Sequence, residues 1–235
     1  MKINCVWEHN GNDSILYANN FVGAFTRGAS KEEAIRKMPE EVRRFQLWLS
    51  EAPLDDYDIE IVQEKESVLQ IRDADSDVFF TTEEEPLRAE EYQYLKSLAL
   101  KSAEDFYALY NSFPDKHKRN APHRKTFYGE VPRTAEEMYQ HTKNVNEYYF
   151  SEVGVKSDNE GSIVSCRARG FAALESIAGY LSLGPVTGSY DEQWSIRKVL
   201  RRFIWHDRIH AKAMYRMGKL TFGEDVIPDI FGFDR

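Results

Sequence analysis

Near residue 85 the spacing of apolar residues changes from two to about three and a half, and a chain with such a switch holds two kinds of structure. Before it, Ile3, Cys5 and Trp7 alternate with Lys2, Asn4 and Glu8, the period of a strand. Asn10-Gly11 follows, a dipeptide that tolerates the positive φ of a tight hairpin turn. Ile15 and Tyr17 begin a second strand, and Phe21 to Thr26 a third. Ser30-Lys31-Glu32-Glu33 is a capping box, in which Ser30 satisfies a free N–H and Glu33 reaches back. Behind it Ile35, Met38, Val42, Phe45 and Leu49 mark one face of a helix. Pro39 lies inside that run and predicts a kink or a split there. Tyr57, Ile59 and Ile61 alternate with Asp58 and Glu60 and predict a closing strand. Residues 66–85 form a linker or a hairpin, with Val68–Ile71 and Val78–Phe80 as its arms.

From residue 86 the period is helical. Glu83-Glu84-Glu85-Pro86 suits the first turn of a helix, which continues through Leu95, Leu98, Phe106, Leu109 and Phe113. A loop of about twenty residues with Pro114, Pro122, Gly129 and Pro132 separates it from a second helix. That helix opens on the capping box Thr134-Ala135-Glu136-Glu137 and runs to about Glu152. A third spans about Gly161 to Leu183, with Phe171, Leu174, Ile177 or Ala178, and Leu181 inward, and Gly184-Pro185 stops it. Ser189-Tyr190-Asp191-Glu192 predicts the start of the longest helix, reaching about Met217. Four helices of about 18 to 28 residues describe a four-helix bundle. The expected class is α+β: a small α/β unit over 1–65, a connection over 66–85 and a bundle over 86–235.

Charge and cysteine content narrow the partners. Thirty-one Lys and Arg against 39 Asp and Glu leave a formal charge of −8, which disfavours nucleic acid and anionic membrane surfaces. No apolar run approaches the ~18 residues of a membrane span. The start Met1-Lys2-Ile3-Asn4-Cys5 lacks the apolar core of a signal peptide. Two cysteines, Cys5 and Cys166, cannot make a disulfide framework. The expectation is a cytoplasmic protein with reduced thiols and a small-molecule partner, with a homodimer as a candidate assembly.

Three of the six histidines occupy inward positions. In the last helix Ile196, Phe203, His210 and Met217 share one heptad position, and Val199, His206, Ala213 and Leu220 the other. His206 and His210 then lie one turn apart on the core seam. In the second helix Met138, His141, Val145 and Tyr148 form the expected inward stripe. Three imidazoles facing one interior supply three neutral nitrogen donors, enough for Zn²⁺, Ni²⁺ or Fe²⁺ at ~2.0–2.2 Å with a position left open. The alternative is three hydrogen-bonded core histidines. Burying three imidazoles without partner or metal costs several kcal/mol.

The run Arg201-Arg202-Phe203-Ile204-Trp205-His206-Asp207-Arg208-Ile209-His210, with Met138-Tyr139-Gln140-His141, resembles the DinB-like superfamily over about residues 86–220. That resemblance implies a four-helix bundle with a three-histidine metal site, one ligand from the second helix and two from the last. Characterised members of that superfamily include thiol-dependent S-transferases, thiol-dependent isomerases and hydrolases, and many members have no assigned activity, so the resemblance implies chemistry of that kind without fixing it. The segment Phe21-Val22-Gly23-Ala24-Phe25-Thr26-Arg27-Gly28-Ala29-Ser30-Lys31-Glu32-Glu33-Ala34 is similar to the HicB-like family, which implies a β-β-β-α-β fold. Pro39 departs from that family's uninterrupted helix. No helix-turn-helix or DNA-binding ribbon follows, so the likeness concerns fold and not a repressor role.

Other candidates have plainer readings. Tyr148, two turns beyond His141, is a candidate for substrate binding or for orienting a ligand, with a packing aromatic as the plainer reading. Glu137 is a candidate acid/base group, but it is also the capping-box residue and is read as the cap. Asp73, Asp75, Asp77, Thr81 and Glu84 mimic a calcium loop, yet Val78 stands where glycine is needed. Lys116, Lys118, Arg119, Arg124 and Lys125 make a basic run, read as a solvated loop. Cys166 is read as a buried inert thiol.

Overall fold

The computed structural model describes residues 1–53, 56–68, 70–72, 78–119, 123–126 and 129–234. It is mixed α+β, and it divides into two compact units. The first is Met1–Phe80 with His123–Val131 and Asp229–Arg235; the second is Thr81–Pro122 with Pro132–Pro228. The sequence segments 1–65, 66–85 and 86–235 are each continuous, whereas both units are assembled from separated stretches. Short-range periodicity carries no signal for a chain that leaves a unit and returns to it.

In the first unit the elements run β1 (Lys2–Asn10), β2 (Asp13–Ala18), β3 (Phe25–Gly28), α1 (Lys31–Trp48) and β4 (Asp58–Glu66). They form one sheet in the order β3-β2-β1-β4. β1 is antiparallel to β2 and parallel to β4. Gly11, at φ +57, makes the turn between β1 and β2. β2 is buried from Ser14 to Ala18 without alternation, because both faces of the sheet are covered. On one face Thr26 Oγ1 donates to the Ala34 carbonyl of α1 at 2.8 Å. On the other, Tyr17 packs against Phe80 with ring centroids 5.5 Å apart.

Several expectations for this unit are corrected. The third strand starts at Phe25, since Phe21–Ala24 form a turn closed by Ala24 N–H donating to the Phe21 carbonyl at 2.9 Å. α1 passes through Pro39 as one helix; Met38, Val42 and Phe45 on its buried face hold it together despite the missing N–H. The described residues of 68–71 and 78–80 carry no strand. The centre of the expected hairpin, and with it Asp73, Asp75 and Asp77, lies outside the described residues. A two-residue hairpin does belong to this unit, β5 (Lys125–Thr126) with β6 (Gly129–Glu130).

The second unit holds α2 (Ala89–Asn111), α3 (Ala135–Ser151), α4 (Ile163–Glu175) and α5 (Ile196–Phe222), with a small pairing of β7 (Val186–Thr187) and β8 (Gln193–Trp194). α2 packs on α5, α4 and α3, and α3 packs on α5 and α4. Gly170 lets α3 and α4 approach closely: a Cβ there would stand 2.0 Å from the Phe150 ring.

Its boundaries also differ from expectation. Thr81–Glu84 is a 3-10 turn, and α2 begins only at Ala89, with Glu90 and Glu91 as the acids of its first turn. Thr134 caps α3 as predicted, its Oγ1 accepting from Glu137 N–H at 3.0 Å. α4 stops at Glu175, and Gly179 at φ +71 prevents its continuation. α5 does not start behind Ser189. Tyr190 and Asp191 take positive φ, and Ser195 caps the helix by accepting from Lys198 N–H at 3.2 Å. The C-terminal half of α5 buries Ala211, Met214, Tyr215 and Met217, while Ala213 and Leu220 are exposed. Of the two predicted heptad positions, the one that carries His210 stays in the core at Met217, while the one that carries His206 leaves it at Ala213 and Leu220, as expected from a drift of ~20° per repeat against a straight helix.

No helix of the described residues is long and apolar enough to cross a membrane.

Candidate metal centre

His206 and His210 project from consecutive turns of α5, and His141 meets them from α3. His210 Nε2 lies 3.1 Å from His206 Nε2 and 3.2 Å from His141 Nε2. One donor atom from each of the three lies within 4.8 Å of the others, and among the described residues this is the one such group of His, Cys, Asp or Glu. The three imidazole planes are turned against one another, by 70° between His206 and His210 and 78° between His141 and His210.

Hydrogen bonding among the rings does not account for this convergence. A neutral imidazole Nε2 carries either a proton or a lone pair. His210 Nε2 touches two other Nε2 atoms, so it makes one linear hydrogen bond at most. A cation satisfies all three lone pairs together. Metal–nitrogen bonds of ~2.0–2.1 Å at octahedral or tetrahedral angles place ligand nitrogens ~2.8–3.4 Å apart. The two observed separations fall inside that range, and the three histidines lie close enough to hold a metal ion.

The electrostatics favour the unprotonated ligands. The His206 imidazole is held well below its ordinary pKa, first by burial, then by His210 and His141, then by the Arg202 and Arg167 guanidiniums. Burial falls off across the triad: His206 is fully buried, His210 half-buried and His141 exposed. His141 was expected on the buried stripe of its helix. The stripe instead runs through Ala135, Met138, Tyr139, Thr142, Asn146 and Tyr149, one residue out of phase with the predicted one. His141 stands at its margin, on the exposed side of the triad.

Behind the histidines, Asp207 is wholly buried. Arg167 of α4 donates through two nitrogens to its two oxygens, at 3.0 and 3.2 Å. Ser102 of α2 donates to the same carboxylate at 2.6 Å. This network joins α2, α4 and α5 and fixes the rotation of α5 at the residue next to His206. Burial raises the Asp207 pKa while Arg167 and Ser102 oppose that rise. Sequence reasoning missed this network, because a buried Arg–Asp pair separated by 40 positions leaves no local pattern.

The remaining candidates separate. Tyr148 is half-buried, and its ring packs on Trp194 at 5.9 Å and on Tyr149 at 5.6 Å. Burial raises its hydroxyl pKa first, and Glu152 and Glu192 add to that. The tyrosine whose ring meets His206 is Tyr149, at 5.9 Å; reading the α3 stripe one residue on would have found it. Glu137 serves the cap, its Oε2 accepting from Arg133 N–H at 2.7 Å. Cys166 is buried, its thiol donates to the Ile163 carbonyl at 3.4 Å, and burial raises its pKa. The basic run is divided, with Lys116, Lys118 and Arg119 in the helical unit and Arg124 and Lys125 in the sheet unit.

Compared with protein-family models, curated proteins and solved structures, the chain gives no match.

Proposed function

We propose that the chain binds one divalent transition metal, Zn²⁺, Ni²⁺ or Fe²⁺, on His141, His206 and His210, and that this centre is catalytic. The observation that carries the reading is the convergence of three Nε2 atoms, two contacts of which measure 3.1 and 3.2 Å. A bound ion would supply Lewis acidity that makes a thiol or water at its open position easier to deprotonate. The protein's part is to hold three uncharged ligands, so that the ion keeps its full positive charge. Burial and the two guanidiniums keep His206 unprotonated for this purpose. The exposed side of the triad, at His141, admits a low-molecular-weight thiol or another small substrate. Tyr148 is the proposed substrate-contacting aromatic, on the α3 face beyond His141.

The reaction class proposed is thiol S-transfer or hydrolysis on an electrophile, in a DinB-like bundle preceded by a HicB-like domain. The order β-β-β-α-β over Lys2–Glu66 and the origin of the proposed ligands, one from α3 and two from α5, support that relationship. The proposed setting is cytoplasmic, where cellular thiols are reduced; two buried free cysteines accord with it.

Elemental analysis of protein purified without added metal tests the centre. One equivalent is expected in the parent and none in His206→Ala. A parent that is metal-free and takes up neither Zn²⁺ nor Ni²⁺ refutes it. Catalysis is tested by offering cellular thiols with electrophilic acceptors, with and without chelator. Turnover indifferent to chelation and to His210→Ala places activity elsewhere. A loaded centre with no turnover on any acceptor favours the second reading, a metal-stabilised scaffold, which the network holding α5 beside the ligands also supports.

A further inference from the structure

From Ser176 to Tyr190 no residue is acidic, basic or a histidine, in a chain whose formal charge is −8. The stretch follows α4 and runs into the β7–β8 hairpin, all within the helical unit. Leu183, Val186 and Tyr190 are large apolar side chains exposed on it, Tyr190 at 76%. Pro185 is exposed between them, and the space that a Cβ of Gly184 would enter is open. Chain connectivity keeps these residues on one local surface. Two of the acids that flank the stretch are paired inside the unit, Glu175 with Lys96 at 2.5 Å and Glu192 with Lys198 at 3.1 Å. Asp191, exposed, is the third.

The stretch is fastened to the helices at two points. The Tyr180 ring packs edge-on against Tyr92 of α2, with centroids 5.1 Å apart. Ser189 N–H donates to Glu152 Oε2, at the end of α3, at 2.7 Å, and a Cβ at Gly188 would stand 1.8 Å from that oxygen. Gly188 N–H donates to the Glu192 carbonyl at 2.8 Å and closes the hairpin. At its tip Tyr190 takes φ +59, a conformation that L residues enter at a cost and glycine enters freely. Among the described residues the Tyr190 ring meets no other ring and its hydroxyl has no hydrogen-bond partner. Strain of this kind gathers at sites of recognition. Here it holds an aromatic ring out to solvent on a fixed hairpin, and an anchor so presented loses little entropy on docking.

We propose that this stretch is the contact between two copies of the chain, in which Tyr190 of each copy docks on Leu183, Pro185 and Val186 of the other. Two chains of charge −8 repel each other, and a surface without charge is where they meet at least coulombic cost. A two-fold contact requires one patch to serve as both partners; this stretch supplies both a projecting ring and an apolar bed. A lipid surface is the poorer occupant, because the charges that flank the stretch are Glu175, Asp191 and Glu192, where a segment lying on a membrane carries Lys and Arg.

Sedimentation velocity of the full chain from ~1 to ~200 µM tests this, in the range where small interfaces associate. A monomer–dimer equilibrium is expected. Tyr190→Gly should weaken it by ~30-fold or more, while the unfolding midpoint of the monomer does not fall, because glycine relieves the strain. Val186→Asp should weaken it comparably. Leu220→Asp, at an exposed apolar residue of α5, should leave it unchanged. A chain that stays monomeric throughout overturns the proposal, and sedimentation of that monomer with phosphatidylcholine vesicles would assign the stretch to a lipid surface instead. A dimer that survives both Tyr190→Gly and Val186→Asp has its contact elsewhere and overturns the proposal equally. So does one that Leu220→Asp weakens as strongly as they do.

Discussion

In the sheet unit the buried carboxylate of Glu8 is met by two hydroxyls, Tyr17 Oη at 3.0 Å and Ser67 Oγ at 2.7 Å. In the helical unit the buried carboxylate of Asp207 is met by a guanidinium and one hydroxyl. Both sites satisfy a carboxylate away from water, yet they do different work. Hydroxyls rotate to suit their acceptor; the Glu8 site tolerates adjustment and ties β1 to β2 and to the chain that follows β4. A planar guanidinium facing a carboxylate admits one geometry. The Asp207 site holds α5 at one rotation, beside the residue that most needs to be aimed.

The sharpest way to break this contrast is Arg167→Met. Leaving Asp207 buried and unpaired should cost ~3–5 kcal/mol, read by urea unfolding of the helical signal. Arg167→Met with Asp207→Leu should recover most of that loss. Equal losses in the single and double variants would mean that packing, and not charge, governs the site.

Metal should act on one unit only. Zn²⁺ at a hundred times its dissociation constant should stabilise the helical unit by ~2.7 kcal/mol and leave the sheet unit's transition where it was. His210→Ala should abolish the gain. A shift of both transitions together would show that the units melt as one.

Glu8→Gln should cost less than breaking the Arg167 pair, ~1–2 kcal/mol, because the amide keeps an acceptor and the hydroxyls can turn. A loss as large as that of Arg167→Met would erase the distinction between the two carboxylate sites.

The smallest expected effect concerns Lys198. Burial lowers its pKa to about 8 from 10.5 against the opposing pull of Glu192. Below pH 8 the amine is charged in both folded and unfolded chains, and burying it is at its most unfavourable. Between 8 and 10.5 the folded protein has given up a proton that the unfolded chain still holds, so this group's contribution rises with pH. Comparison with Lys198→Met should show the rise, about 1 kcal/mol between pH 8 and 9, in the parent alone.

What could be read from residues alone follows the range of the interactions. The capping boxes at Ser30 and Thr134 involve atoms three or four positions apart, and both form. Helical period within α5 and within α3 places the three histidines on one interior, and the resemblance implies the same three. The stripe used for His141 was one residue out, since Val145 and Tyr148 are half-buried while Asn146 and Tyr149 are buried. At Ser189 the local pattern misled: a capping sequence there competes with β7–β8 pairing, and the pairing wins. Arg167–Asp207 and Phe231–Trp48 join residues 40 or more positions apart, where neither period nor propensity reaches.

The assembly of the sheet unit from separated stretches also bears on the rate of folding. Its residues come from Met1–Phe80, His123–Val131 and Asp229–Arg235, so contacts among them close long loops, and the entropy of closure is lost before those contacts form. The stretch that carries β1 to β4 and α1 is continuous, and joining the two later stretches to it is expected to be the slow phase of refolding.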